Sequence, residues 1–239
     1  VCLRSDGQMN EGYTSTVLGL EGNPDISEST MIFRDLSIAE YTKGRIHIPH
    51  VSTAKSVEII EDFKNKNVNV TAEVTPHHLF ATDKILLEYN TNAKVAPPIR
   101  SQKDQDALIK GLKNGVIDCI ATDHAPHSIE DKECDFEQAH CGMIGLESAF
   151  SLSSEILLQN GFSIYDIIDR LTVNPSKIMK IRKKRIQLGA DADICIINTN
   201  REWFFSKDKI YSKSSNTPFL NKKMIGKIEM VLTKKHYFK

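Results

Sequence analysis

One stretch, Asp118-Cys-Ile-Ala-Thr-Asp-His-Ala-Pro-His127, constrains the fold more than any other part of the chain. The apolar run at 117–121, set between Gly115 and Pro126, predicts a buried strand. Beyond it come Thr122, Asp123, His124 and His127, four polar groups within six residues. A strand that passes from dry to densely ligating at its C-terminal end is the pattern of an α/β barrel at its active face. A carboxylate is both ligand and base, so Asp123 can bind a divalent metal and exchange a proton with bound water. Taken alone, the same residues would serve equally as a helix cap and a solvated loop.

The rest of the chain decides between these. Asn23-Pro24 marks a turn, and Asp25 or Ser27 caps a helix over about 27–41 that ends at Gly44. Residues 45–51 predict a strand. Ile46, Ile48 and His50 share one of its faces and His47 and Pro49 the other, so, provided Pro49 does not bulge the strand, His50 projects from the C-terminal end and His47 is structural. Ser52-Thr53 then caps a helix over 54–66. Residues 68–75 alternate as a second strand, which runs into Pro76-His77-His78. A helix from 101 or 102 to 113 stops at Gly115, ahead of the third strand. The order is that of βα units. Three successive strands end in acid or imidazole: His50, then Glu73 with His77 and His78, then Asp123 with His124 and His127. Parallel strands present these ends on one face, which points to a metal or catalytic site.

Past the site lie an acidic loop at 128–141, a helix over 146–159, a Ser163-capped helix to 171, and a short helix at Asn174-Pro175. After Gly189 the pattern changes, and 192–198 and 226–233 read as strands. The expected division is a barrel portion at 1–185 and a small C-terminal β-appendage at 186–239.

Lys plus Arg and Asp plus Glu balance at 31 each, which gives no electrostatic argument for nucleic acid or membrane. The basic clusters at 180–185 and Lys234-Lys235 read as solvated surface. No apolar run approaches the ~20 residues that span a bilayer, and the first residues do not read as a signal peptide. The cysteines, Cys2, Cys119, Cys134, Cys141 and Cys195, are odd in number and lack CxxC spacing. They predict a reducing, cytoplasmic setting without structural disulfides, with Cys119 and Cys195 packed inside strands.

At this point the residues resemble a known family. His50-Val-Ser-Thr53, Glu73-Val-Thr-Pro-His-His-Leu79, Ala96-Pro-Pro-Ile-Arg100 and Thr122-Asp-His-Ala-Pro-His127 resemble motifs of the dihydroorotases of the cyclic amidohydrolase superfamily. Gly142-Met-Ile-Gly-Leu-Glu147, Asn174-Pro175, Gly189-Ala-Asp-Ala-Asp193 and Asn216-Thr-Pro-Phe219 continue the match in family order. The resemblance implies a TIM-like (β/α)8 metal-dependent barrel, truncated at its N-terminus, that in complete form interconverts N-carbamoyl-L-aspartate and L-dihydroorotate in pyrimidine synthesis. It implies one or two zinc ions per complete site. His50 would bind the second zinc. Asp123 would bind the first and carry the proton of the bridging hydroxide. His127 would hold the substrate, and the backbone at Cys141 and Gly142 would contact its ring or carboxylate. Glu73 matches a position that approaches an additional metal in some members. His77, His78 and His124 take supporting roles.

Two departures qualify the match. The family's amino-terminal half, which supplies a His-x-His pair, a bridging carboxylated lysine or aspartate and a further histidine, lies outside this sequence, so the chain alone is expected to be inactive. Ala96 stands where members commonly carry Asn or Arg facing the substrate, and Arg100 is near but not equivalent. Two rivals follow: another cyclic amidohydrolase (hydantoinase, dihydropyrimidinase or allantoinase), or a non-catalytic dihydroorotase-like assembly subunit. His127 argues against the first, and retention of His50, Asp123 and His127 against the second. A homodimer or an association with aspartate transcarbamoylase is the partnership such a family implies.

Overall fold

Alternation along one strand sets the centre of the molecule. In Asn69–Val74, Val70, Ala72 and Val74 are buried while Asn69, Thr71 and Glu73 are not, as period-two geometry requires of a strand with one packed face. The structure is a computed structural model and describes residues 7–181, 185–233 and 236–238. It opens with two short parallel strands, β1 (Met9–Asn10) and β2 (Gly22–Asn23), joined through helix α1 (Tyr13–Leu18). Helix α2 (Ile26–Thr42) leads into β3 (Arg45–Ile48), and α3 (Ala54–Asn65) into β4 (Asn69–Val74). After α4 (Pro76–Phe80), α5 (Gln102–Asn114) leads into β5 (Cys119–Ile120). These three strands form one parallel sheet in the order β3-β4-β5.

Local chemistry places the helices. Thr53 caps α3 through its side-chain oxygen, which accepts from Ser56 N, and Ser101 with Asp104 forms a capping box at α5. Asp104 also accepts from Ala54 N at 2.9 Å, so one carboxylate satisfies donors at the starts of both helices. Gly115 ends α5 at φ 78°, in the left-handed region that glycine enters freely. Val57, Ile60 and Phe63 of α3 and Leu108, Ile109 and Leu112 of α5 then fall on faces that pack on Val70, Ala72 and Val74. Leu36, Ile60 and Leu112 are fully buried, and each stabilises the fold by ~1.5–3 kcal/mol.

The third strand is shorter than the run at 117–121 suggests. The Asp118 carboxylate accepts from Ala72 N at 2.8 Å and from Lys64 Nζ at 2.8 Å, taking a donor that a longer ladder would use.

The second half is α6 (Ala149–Gln159), α7 (Ile164–Ile168) and α8 (Asn174–Ile178), with a π-helical turn at Asp169–Val173 before the last. An antiparallel sheet follows, with β7 (Lys223–Leu232) between β6 (Ile194–Phe204) and β8 (Tyr237–Phe238). It shares a core with α6 through Leu152, Phe205 and Met224. Trp203 Nε1 donates to the Gly226 carbonyl at 3.0 Å. Cys195 corrects an expectation: it lies in β6 but is exposed, because the described residues cover only part of this ribbon. Cys2, residues 182–184 of the first basic cluster and Lys234-Lys235 lie outside the described residues. Among the described residues no helix is long and apolar enough to cross a membrane.

Candidate active site at the strand ends

Strand β3 stops at Ile48, and the alternation does not carry on to His50 as the sequence suggests. Pro49 has no N–H to continue a ladder, and His50 turns to φ 36°. The chain rejoins the sheet one residue later, where Val51 N donates to the Glu73 carbonyl at 2.9 Å. Asp123, three residues past β5, sits at φ 47°. Left-handed backbone costs an L-residue roughly 1–2 kcal/mol, so both candidate ligands occupy strained positions held by their surroundings. Sparsely populated backbone of this kind collects at functional sites.

The hold on His50 is visible. Glu28 of α2 accepts from Ser52 N at 3.0 Å, Thr53 N at 3.1 Å and Ser56 Oγ at 2.6 Å. Arg100, almost fully buried, donates to Ser52 Oγ at 3.1 Å and to the Asn23 carbonyl at 2.6 Å. Arg100 is thus a clamp on the turn after His50. The side chains of His50 and Asp123 themselves make no hydrogen bond or ion pair with any described residue. His50 borders a cleft of about 1020 Å³, which Arg100, Lys94 and Cys141 also line. Asp123 is exposed and lies outside that lining.

The neighbouring histidines are committed elsewhere. His78 lies under the site, where its Nε2–H donates to the Pro97 carbonyl at 3.1 Å and Thr75 Oγ1 lies 2.7 Å from its Nδ1. Burial pushes His78 down to about 4 and holds it neutral. His77 is buried against it with Nε2 unpartnered, and burial, then the His78 and His50 charges, push it well below the usual range. His47 faces away from the helices. Its Nδ1 lies 2.8 Å from Thr71 Oγ1 and its Nε2 3.0 Å from Glu73 Oε2, so Glu73 has a partner in the sheet. His47, Glu73 and Cys119 bring donor atoms within 4.8 Å of one another, which could hold a metal ion. Burial, reinforced by the Glu73 charge, pushes the Cys119 thiol up to about 12.

His127, Cys141 and Gly142 form a second group, fastened by a residue 74 or more positions away. Asn216 accepts from His127 N at 3.1 Å and donates to the carbonyls of Ala125 at 3.0 Å and Gly142 at 3.1 Å. His127 Nε2 donates to the Cys141 carbonyl at 3.0 Å, since a carbonyl can only accept. Gly142 holds φ 139°, and a Cβ there would lie 2.7 Å from Ala125 Cβ and 2.8 Å from His127 Nε2. His124 accepts from Gly145 N at 3.0 Å, beside the Ala125 N to Met143 O bridge at 2.9 Å. The loop at 128–141 is gripped from inside. Lys94 Nζ donates to the carbonyls of Phe136 and Glu137, and Lys132 Nζ to that of His140 at 2.7 Å. Both lysines are buried, and burial pushes Lys132 down to about 8.

Cys141 joins the two groups, bordering the cleft with His50 while its carbonyl holds His127. Asn216 and Arg100 are the residues whose roles the sequence did not disclose. Both lie in stretches whose composition stood out, Asn216-Thr-Pro-Phe219 and Ala96-Pro-Pro-Ile-Arg100.

Helix-covered parallel strands whose C-terminal ends carry imidazole and carboxylate groups define the active face of an α/β-barrel class of protein. The chain belongs to the amidohydrolase family, whose model (Amidohydrolase family) matches residues 29–228. It is 45% identical over 228 residues to a dihydroorotase of Elusimicrobium minutum, covering 95% of this chain and 53% of that protein. It is 47% identical over 218 residues to a dihydroorotase of Ruminiclostridium cellulolyticum, covering 91% and 51%. The L-hydantoinase (dihydropyrimidinase) of Arthrobacter aurescens superimposes with a TM-score of 0.80 at 26% identity, over 90% of this chain and 49% of that one. The fold is therefore that of the amidohydrolase barrel. The chain spans about half the length of the curated relatives it matches.

Proposed function

We propose that this chain supplies half of the active site of a zinc-dependent dihydroorotase, which closes N-carbamoyl-L-aspartate to L-dihydroorotate and reopens it. In this reading residues 1–185 are the C-terminal portion of a barrel truncated at its N-terminus. Residues 186–239 form a β-appendage, and a segment corresponding to the remainder of the relatives completes the site. The carrying observation is that His50 and Asp123 lie on strained backbone past β3 and β5, and neither side chain has a hydrogen-bond or ion-pair partner among the described residues. Imidazole and carboxylate are zinc ligands, so the residues present fit the metal. Bound zinc would lower the pKa of its water and polarise the amide carbonyl.

The remaining work falls to the chain itself. Asp123 takes the proton of the attacking water and returns it to the leaving ring nitrogen, which general acid–base catalysis by one carboxylate allows. His127, oriented by the Cys141 carbonyl, stands at the carboxylate side of the substrate and holds it there. The backbone at Cys141 and Gly142 lies alongside to contact the ring. Ala96 presents no polar group, which leaves Lys94 and Arg100 as the cations of the cleft.

The test is a comparison of substrates on the complete protein. Dihydroorotate turned over in preference to hydantoin and allantoin, with zinc bound, supports the reading. Preference for hydantoin or allantoin would install the hydantoinase alternative, which the structural likeness to the A. aurescens enzyme favours. A complete protein that binds no zinc would make it an assembly subunit. Gel filtration with and without aspartate transcarbamoylase separates a homodimer from that association.

A further inference from the structure

Outside the strand ends, a second set of donors converges on the acidic loop. His127, Asp131 and His140 each offer one ligand atom, and the three lie within 4.8 Å of one another. The hydrogen bonding makes this more than proximity. His127 Nε2 carries the proton that the Cys141 carbonyl accepts, which leaves Nδ1 as the ring nitrogen that faces the loop. Nδ1 lies 3.7 Å from Asp131 Oδ2. Hydrogen bonds from the Ser128 backbone and side chain hold the Asp131 carboxyl below its usual range, so it is ionised. Nδ1 and the Asp131 carboxylate therefore face each other across a gap that a shared cation would bridge. The His140 ring stands edge-on to His127 at 5.5 Å, and its side chain has no hydrogen-bond partner among the described residues. The segment 128–140 carries five carboxylates, Glu130, Asp131, Glu133, Asp135 and Glu137, against one lysine, Lys132, so its field attracts cations.

We propose that His127, Asp131 and His140 bind a divalent transition metal of the zinc type, apart from any ion held by His50 and Asp123. Two imidazoles and one carboxylate suit zinc, cobalt or copper and discriminate against magnesium and calcium, which take oxygen ligands. Three protein ligands leave coordination positions open to water. The ion ties His127 to the loop through Nδ1. If His127 holds substrate, as the proposed function has it, occupancy withdraws that ring and metal in excess of the catalytic complement raises KM. This consequence rests on the proposed function, whereas the site itself does not.

The test uses the complete protein, dialysed to equilibrium against rising Zn2+, with His140→Gln and Asp131→Asn as variants. The wild type is expected to bind one ion more per chain than either variant, or to bind that ion at least roughly tenfold tighter, given what loss of even a supporting partner does to metal affinity. Equal stoichiometry and affinity in all three proteins would overturn the site, whether or not the protein turns over dihydroorotate. Where turnover is measurable, excess Zn2+ is expected to raise KM in the wild type and not in His140→Gln. An extra ion that leaves KM unchanged keeps the site and overturns the inhibition.

Discussion

The strand ends and the loop group at 124–145 solve opposite problems. At the strand ends the backbone is strained and the reactive side chains are bare. His50 and Asp123 hold left-handed φ values with no hydrogen-bond partner among the described residues, while Glu28 and Arg100 saturate the donors and acceptors around Ser52 and Thr53. In the loop group the main chain itself is fastened, by Asn216, Lys94 and Lys132. The contrast separates strained backbone that presents bare side chains from a main chain fastened by distant side chains. A buried polar group is normally satisfied, and a functional one is conspicuous because it is not.

Asp123→Ala in the complete protein breaks the bare side of this comparison most severely. Turnover should fall by ~10³-fold or more with the melting temperature little changed, and steady-state kinetics beside calorimetry would show both. Asn216→Ala attacks the fastened side. It strands His127 N and two carbonyls, at ~2–3 kcal/mol of stability, and raises KM as His127 loses its seat. Gly142→Ala should act in the same direction at ~1–3 kcal/mol, by driving a methyl group into Ala125 and His127. A variant equal to wild type at either position would show that the clamp does not set the site.

Acid titration sharpens the comparison further. His78 falls from an ordinary 6.5 to about 4 in the folded chain, and His77 shifts the same way. The unfolded chain binds protons between those values that the folded chain refuses, so stability present above pH 6.5 is lost as the pH falls towards 4. Denaturant midpoints should drop across this window by the equivalent of a few kcal/mol, and His78→Gln should flatten the slope. Smallest is His47→Ala, which removes the hydrogen bonds to Thr71 and Glu73. About 1 kcal/mol of stability should go, with turnover within roughly twofold if Glu73 is not a ligand in this protein.

The helices were legible because their caps and apolar spacing are local: Thr53 and Gly115 mark ends that the structure keeps, and α2, α3 and α5 fall within a residue or two of expectation. The strand order followed from the same units. The alternation reaches His50 only if Pro49 leaves the strand regular, and it does not: period two holds only while the backbone stays extended, and β3 ends at Ile48. Cys195 was placed inside a strand correctly and inside a core wrongly, since sequence alternation does not reveal which face of a ribbon is covered. The Asn216 clamp was unreadable in principle from local pattern, as its partners lie 74 to 91 residues away.

Lys94 and Lys132 hold their loop by main-chain carbonyls, a group every amino acid shares. The side chains of Glu133, Asp135, Glu137 and Gln138 are exposed and take no part in those hydrogen bonds. Descendants of this chain can therefore rewrite the loop's outer face residue by residue, acquiring new surface chemistry near the site while two unchanging lysines preserve its shape.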